Sequence, residues 1–124
     1  MNRSKAREEA FKQLFQYNIQ KELEVDQSLP AYTITLIKGV QKEEEAIDDL
    51  IRNHLVHWSY ERLPFVEKTI LQIATFEIMF TTEIPVGVGI NEAVELAHQY
   101  GGDQSGKFIN GVLSKISKRK GDAK

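Results

Sequence analysis

Apolar residues recur at three- and four-residue intervals along most of the chain, while strict alternation is scarce, so the pattern predicts an all-α protein. A first helix over about residues 3–20 turns Ala6, Ala10, Phe11, Leu14, Phe15 and Tyr17 to one broad face. Ser28 with Pro30 behind it reads as the start of a second helix, which Ile34, Leu36, Ile37 and Val40 continue. Glu43, Glu44 and Glu45 open a third, where acidic side chains suit the positive end of the helix dipole, with Ile47, Leu50, Ile51, His54, Leu55 and Trp58 as its stripe. Pro64 breaks the chain before a fourth helix from about Phe65 to Thr82. Pro85, Gly87 and Gly89 read as a connecting turn. A fifth helix from about Ile90 to Tyr100 stops at Gly101–Gly102, as a left-handed cap would stop it. The last helix starts at Asp103 or Ser105, both competent caps, and is expected to fray at Lys118-Arg119-Lys120-Gly121. The expected organisation is one compact helical domain over residues 1–117 and a basic, flexible tail over 118–124.

Some polar positions conflict with this packing pattern. Glu77 falls near the centre of the wide apolar arc formed by Val66, Ile70, Ile73, Ala74, Phe76, Ile78 and Phe80. A carboxylate there needs either an internal ion pair or a second protein covering that edge of the core, because an unpaired buried charge costs several kcal/mol. Arg3 and Arg7 lie inside the apolar arc of the first helix, where they either snorkel past the core edge or present guanidinium groups to a ligand. On the last helix Phe108, Ile109, Val112, Leu113 and Ile116 share an arc, whereas Lys107, Asn110 and Gly111 point away from it. An exposed lysine and amide beside an aromatic at the arc's edge can grip single-stranded RNA, the ring stacking on a base and the lysine meeting phosphate. Ser105 and the free N–H groups of the first turn could add an anion contact. The alternative reading is structural: Phe108 as core, Ser105 as cap and Lys107 as a solvated charge.

Charge sharpens the picture. The 124 residues carry a net −2. Residues 1–12 hold four cations against two carboxylates, and residues 105–124 hold six against one. The remaining six cations and fifteen carboxylates leave −9 between these basic ends. If the fold gathers the ends, a cationic surface can bind a polyanion, while the acidic middle could face a basic protein. With no cysteine in the chain, disulfides, thiolate metal sites and a thiol nucleophile are excluded. The apolar runs fall far short of the roughly 20 residues that span a bilayer, and the polar opening is no signal peptide, so a soluble, cytoplasmic protein is expected. His54, His57 and Glu61 could share a helical face, but no third strong ligand accompanies the histidines. Gly87-Val88-Gly89 lacks the third glycine of a dinucleotide fold, and no catalytic triad can be assembled. Neither cofactor nor enzymatic activity is expected.

Several blocks resemble the family of bacterial antitermination factors called NusB. They are Arg7-Glu8 through Ala10 to Leu14-Phe15-Gln16, then Ile70-Leu71-Gln72-Ile73-Ala74-Thr75-Phe76-Glu77, then Ile84-Pro85, and finally Ile90 to Ala97 paired with Ser105 to Leu113. The last pairing is the most specific. The resemblance implies an all-helical fold of two small bundles. It further implies a protein that binds the boxA element of ribosomal RNA leader transcripts together with ribosomal protein NusE, in an RNA polymerase complex that resists termination. Carried over by position, Arg3, Lys5 and Arg7 match the family's arginine-rich RNA-contacting start, and Ser105, Lys107, Phe108 and Asn110 match its C-terminal motif near the RNA path. Phe15, Glu77 and Gln104 match positions expected at the protein-partner interface. With only two arginines and one lysine at the start, and Glu8 and Glu9 beside them, RNA affinity is expected to be weak, strongly salt-dependent and improved by the partner.

Two rival readings stand beside this one. The first is a helical interaction or homodimerisation module in which Glu77 marks the contact. The second is an accessory domain of the kind that precedes some ribosomal RNA cytosine methyltransferases, which would require a further domain carrying catalytic cysteines.

Overall fold

A buried helix organises the molecule. The computed structural model describes residues 2–122. Its six helices run as α1 (Arg3–Gln20), α2 (Ala31–Lys42), α3 (Glu44–Asn53), α4 (Phe65–Met79), α5 (Val86–Gly101) and α6 (Asp103–Asp122), with a single 3₁₀ turn at Tyr60–Arg62 before α4. No strand occurs among the described residues. Every residue from Thr69 to Ile78 in α4 is buried, because α1, α2 and α3 pack on one side of it and α5 and α6 on the other. The two expected bundles therefore share α4 as their common wall. A helix that is apolar nearly all round finds partners all round.

The core joins Leu14, Leu36, Ile37, Ile47, Ile51, Ile70, Leu71, Ile78, Ile109, Leu113 and Ile116, all fully buried. Each such side chain contributes about 1.5–3 kcal/mol relative to exposure. A polar seam crosses this interior. The Asn18 amide donates to Thr69 Oγ1 at 2.8 Å and to Gln72 Oε1 at 2.9 Å, and the Gln72 amide donates in turn to Asp48 Oδ1 and to the Tyr60 hydroxyl. Since α1, α3, α4 and the 3₁₀ turn each supply a member, the network fixes their register as well as satisfying buried polar atoms.

The structure moves several expected boundaries. Ser28 folds back on Asp26, its N–H and hydroxyl both donating to Oδ1, and Pro30 leads directly into α2. The third helix ends at Asn53, which leaves His54, Leu55 and Trp58 outside it. The fourth helix ends at Met79 rather than Thr82. The segment expected to be a turn, Gly87-Val88-Gly89, belongs to α5, which starts directly after Pro85. Buried Gly89 lies against Ile78 there. The fifth helix stops at Gly101–Gly102 as expected: Gly102 has φ 93° and ψ −177°, a conformation open essentially to glycine alone, and its N–H reaches the Ala97 carbonyl at 2.9 Å. Helix α6 continues through Lys118, Arg119 and Lys120 to Asp122, beyond the expected fray point, and the last two residues of the basic tail lie outside the described residues. No described helix is long and apolar enough to cross a membrane.

Candidate nucleic-acid interface

Arg7 and Glu77, expected on two different binding faces, are each other's partner in the interior. Arg7 Nε donates to Glu77 Oε1 at 2.8 Å and Oε2 at 3.0 Å, while Nη1 donates to Glu92 Oε1 at 2.9 Å. The Tyr32 hydroxyl donates to Glu77 Oε2 as well. With Arg7 3% and Glu77 1% exposed, neither offers its charge to an external ligand in this conformation. Of the two ways open to a carboxylate in the middle of an apolar arc, the chain uses the internal pair, because α1 brings a cation to the same depth. Burial alone would lower the Arg7 pKa, but the hydrogen bond and charge of Glu77 outweigh it and hold the guanidinium above its ordinary value. The Tyr32 phenol is raised well above its usual range, first by burial and then by Glu77.

The other expected contacts remain at the surface. Arg3 is half-exposed, lies over the Tyr32 ring at 4.7 Å and reaches Glu83 at 3.4 Å, a surface pair worth at most about 1 kcal/mol. The Lys5 side chain is exposed at the same end of α1. On α6, Lys107 and Asn110 are exposed and Phe108 is half-buried between them. Ser105 is buried, and its hydroxyl donates to Glu67 Oε2 at 2.6 Å, tying the start of α6 to the first turn of α4. Gln104 is exposed beside it. Phe15 is half-buried against Phe11, with ring centroids 5.8 Å apart. It lies two turns along α1 from Arg7, so about 12 Å from the level of Glu77.

These residues form two groups at opposite ends of α4. Ser105, Phe108 and Gln104 gather at its first turn, by Glu67. Arg3 sits beyond its last turn, by Glu83, where Lys120 Nζ also donates to the Thr81 carbonyl at 3.2 Å. The two basic ends of the chain thus meet at the 81–83 segment. Glu67 and Met79, the last residue of α4, are twelve residues apart, about 18 Å along the helix, which separates this meeting point from the Lys107–Asn110 face. Between the groups, Glu8 accepts from the Tyr100 hydroxyl and from the Gln99 amide. That bond from Tyr100 lowers the Glu8 pKa and pushes the Tyr100 phenol up to about 12.

Periodicity misassigned Trp58, which it placed in the buried stripe of α3. The indole is 52% exposed and meets Phe108 edge-on, with centroids 5.9 Å apart and an interplanar angle of 64°. Asn53, a weak helix former, was the available sign that the helix stops first. Glu67 carries no such signal in the sequence, since an acidic residue in the first turn of a helix needs no special reason. His54 bonds the Leu50 carbonyl rather than sharing a face with His57, and the described residues hold no acidic, histidine or cysteine cluster suited to a metal.

The chain is similar to known proteins over nearly its whole length. Residues 3–118 match the model of the NusB family. The transcription antitermination protein NusB of Oceanobacillus iheyensis is 46% identical, the alignment covering 94% of this chain and 98% of that one, and the Bacillus subtilis protein of the same name is 38% identical over 94% and 95%. Among solved structures, T. maritima NusB superposes with a TM-score of 0.86 at 35% identity, covering 95% of this chain and 92% of that one. A NusB chain from a crystal structure of the antitermination factors NusB and NusE in complex with double-stranded RNA gives 0.83 at 29% identity, covering 94% and 96%. Shared helices, a shared order of motifs and this extent of identity have one explanation: the chain belongs to the NusB family.

Proposed function

We propose that this chain is a transcription antitermination factor that acts by binding, holding boxA-type single-stranded RNA of ribosomal RNA leaders jointly with NusE within an RNA polymerase complex that resists termination. The observation carrying this reading is its full-length likeness to the NusB of the NusB–NusE complex with RNA. The charge distribution supports it, because exposed cations sit at both chain ends of an otherwise acidic protein. In this reading Arg3, Lys5 and Lys107 meet phosphates, Phe108 stacks and Asn110 hydrogen-bonds a base or sugar. Ser105 and Arg7 act indirectly, the hydroxyl fixing the start of α6 and the guanidinium fixing α1. Phe15 and Gln104 face the protein partner. Glu77 acts indirectly as well, by holding Arg7 and Tyr32, whose ring borders a separate groove with Phe80 at the other end of α4. Residues 1–117 act as one domain, and the basic end of α6 with the residues after it adds attraction to the RNA.

Fluorescence anisotropy of a labelled boxA-type RNA tests the reading, run with and without NusE, against a scrambled RNA and at two salt concentrations. Selective binding that NusE tightens is expected. Charge reversal at Lys5 or Lys107 should weaken it and reduce the salt slope by about one per lost phosphate contact. Equal weak binding to both RNAs, unaffected by NusE, would refute the proposal.

A further inference from the structure

At the opposite end of α4 from Phe108, a groove of about 330 Å³ opens between α2 and the segment that joins α4 to α5. Its floor is apolar. Phe76 and Phe80, one turn apart, lie nearly parallel at 7° with ring centroids 6.4 Å apart, and Tyr32 and buried Ile84 complete the floor. Phe76 is seated on Gly39, where a single added carbon would overlap its ring, so this floor is fixed before anything binds. Phe80 keeps 37% of its surface in water directly after a helix that is buried from Thr69 to Ile78.

The polar groups of the floor are already engaged. The Tyr32 hydroxyl donates to Glu77, the Thr81 hydroxyl donates to the Glu77 carbonyl at 2.6 Å, and Lys120 Nζ donates to the Thr81 carbonyl. A nucleobase edge buried there would lose its hydrogen bonds to water without replacement, whereas an aliphatic or aromatic side chain loses none. The groove therefore suits a protein side chain better than a base. Its rim sets the charge of the partner. Arg3 lies over the Tyr32 ring, Lys120 reaches Thr81, and exposed Lys38 follows the groove residue Thr35 by three positions on one face of α2. The carboxylate among the lining residues, Glu83, is engaged by Arg3. Such a rim repels a basic segment and attracts an acidic one. We infer that this groove is a docking site for an acidic segment of a further protein, which seats one bulky apolar side chain against Phe80 and Ile84 and sets its flanking carboxylates against Arg3, Lys38 and Lys120. The site goes beyond the binding of RNA and NusE, in which neither Phe80 nor Lys38 takes part.

The test is an NMR titration of the isotope-labelled full chain, following isoleucine methyl and phenylalanine ring signals. The probe is a synthetic hexapeptide with leucine and phenylalanine at its centre and two carboxylates on each side. Saturable shifts centred on Phe80 and Ile84 are expected, and they should weaken when lysines replace the carboxylates, when serines replace the apolar pair, or when salt is raised. Phe80→Ala should weaken peptide binding about tenfold and Lys38→Glu about threefold, with the circular dichroism spectrum and RNA affinity unchanged. Should Phe80→Ala disturb the fold, Lys38→Glu decides the matter, since its side chain is exposed. An absence of saturable shifts at millimolar peptide, or equal binding of the lysine peptide, would overturn the inference. If oligouridine moves the Phe80 and Ile84 signals and the peptide does not, the groove holds RNA and the inference is likewise overturned. If those signals move with protein concentration alone and the peptide adds nothing, the groove is a contact between copies of this chain, which also overturns it.

Discussion

Removing Arg7 should cost this protein more than removing Glu77, although the two form one ion pair. Both are almost fully buried, but their remaining partners differ. In Arg7→Met, Glu77 keeps only the Tyr32 hydroxyl and stays a buried, uncompensated anion, whereas the three-quarters-buried Glu92 can turn toward water. Breaking a buried pair in this way costs about 3–5 kcal/mol, a large part of the roughly 5–15 kcal/mol that stabilises a domain. In Glu77→Gln, Arg7 retains Glu92 and gains a neutral acceptor, so the loss is about 1–3 kcal/mol. The double variant Arg7→Met/Glu77→Leu replaces the pair with apolar groups of similar size and should recover at least 1.5 kcal/mol relative to Arg7→Met alone. Urea unfolding followed by circular dichroism at 222 nm measures all three, and the helical content makes the signal large. A loss below 1 kcal/mol for Arg7→Met, or a double variant no more stable than Arg7→Met alone, would refute the reasoning. The folded double variant also separates structure from contact. With Arg7 acting indirectly, its RNA affinity should remain within about threefold of the parent; a collapse of binding in a stable protein would make the guanidinium itself an RNA ligand.

Gly39→Ala should destabilise the protein by about 1–3 kcal/mol despite the roughly 1 kcal/mol gain in helix propensity, because the new methyl would fall within the Phe76 ring where α2 crosses α4; a raised melting temperature would contradict this. Gly102→Ala faces open space but must adopt φ 93°, so a loss of about 1–3 kcal/mol is expected from backbone strain alone, again read by thermal unfolding. The Glu8 carboxyl is depressed, chiefly by the bond from Tyr100, so it contributes stability above the ordinary glutamate pKa that is lost as pH falls through its lower folded value. Tyr100→Phe should move the Glu8 titration, followed by carboxyl NMR, back up toward the ordinary value; an unmoved titration would assign the depression to the other groups near it.

The sequence by itself determined which segments become helices. Periodicity depends only on neighbours within a turn or two, and this is why α1 came out residue for residue and the Gly101–Gly102 stop was visible in the chain. Motif order was sufficient to suggest the family, and the arc positions of Glu77, Arg3 and Arg7 were enough to mark them as unusual. Tertiary structure alone decided what those marks meant. Arg7 and Glu77 are seventy residues apart, and a helical wheel gives each residue's direction without naming what another helix places opposite it. The same limit hid the neighbours of Ser105 and Phe108: Trp58 and Glu67, from a loop and another helix, line one groove with them at the start of α4, and neither is unusual within its own segment. The Asn18–Gln72–Asp48–Tyr60 network was invisible for a related reason, since a single amide or hydroxyl on a helix gives no sign that its partners lie across a core. Local order is encoded in short windows of sequence, but charge compensation and binding sites are properties of surfaces that meet only after the chain has folded.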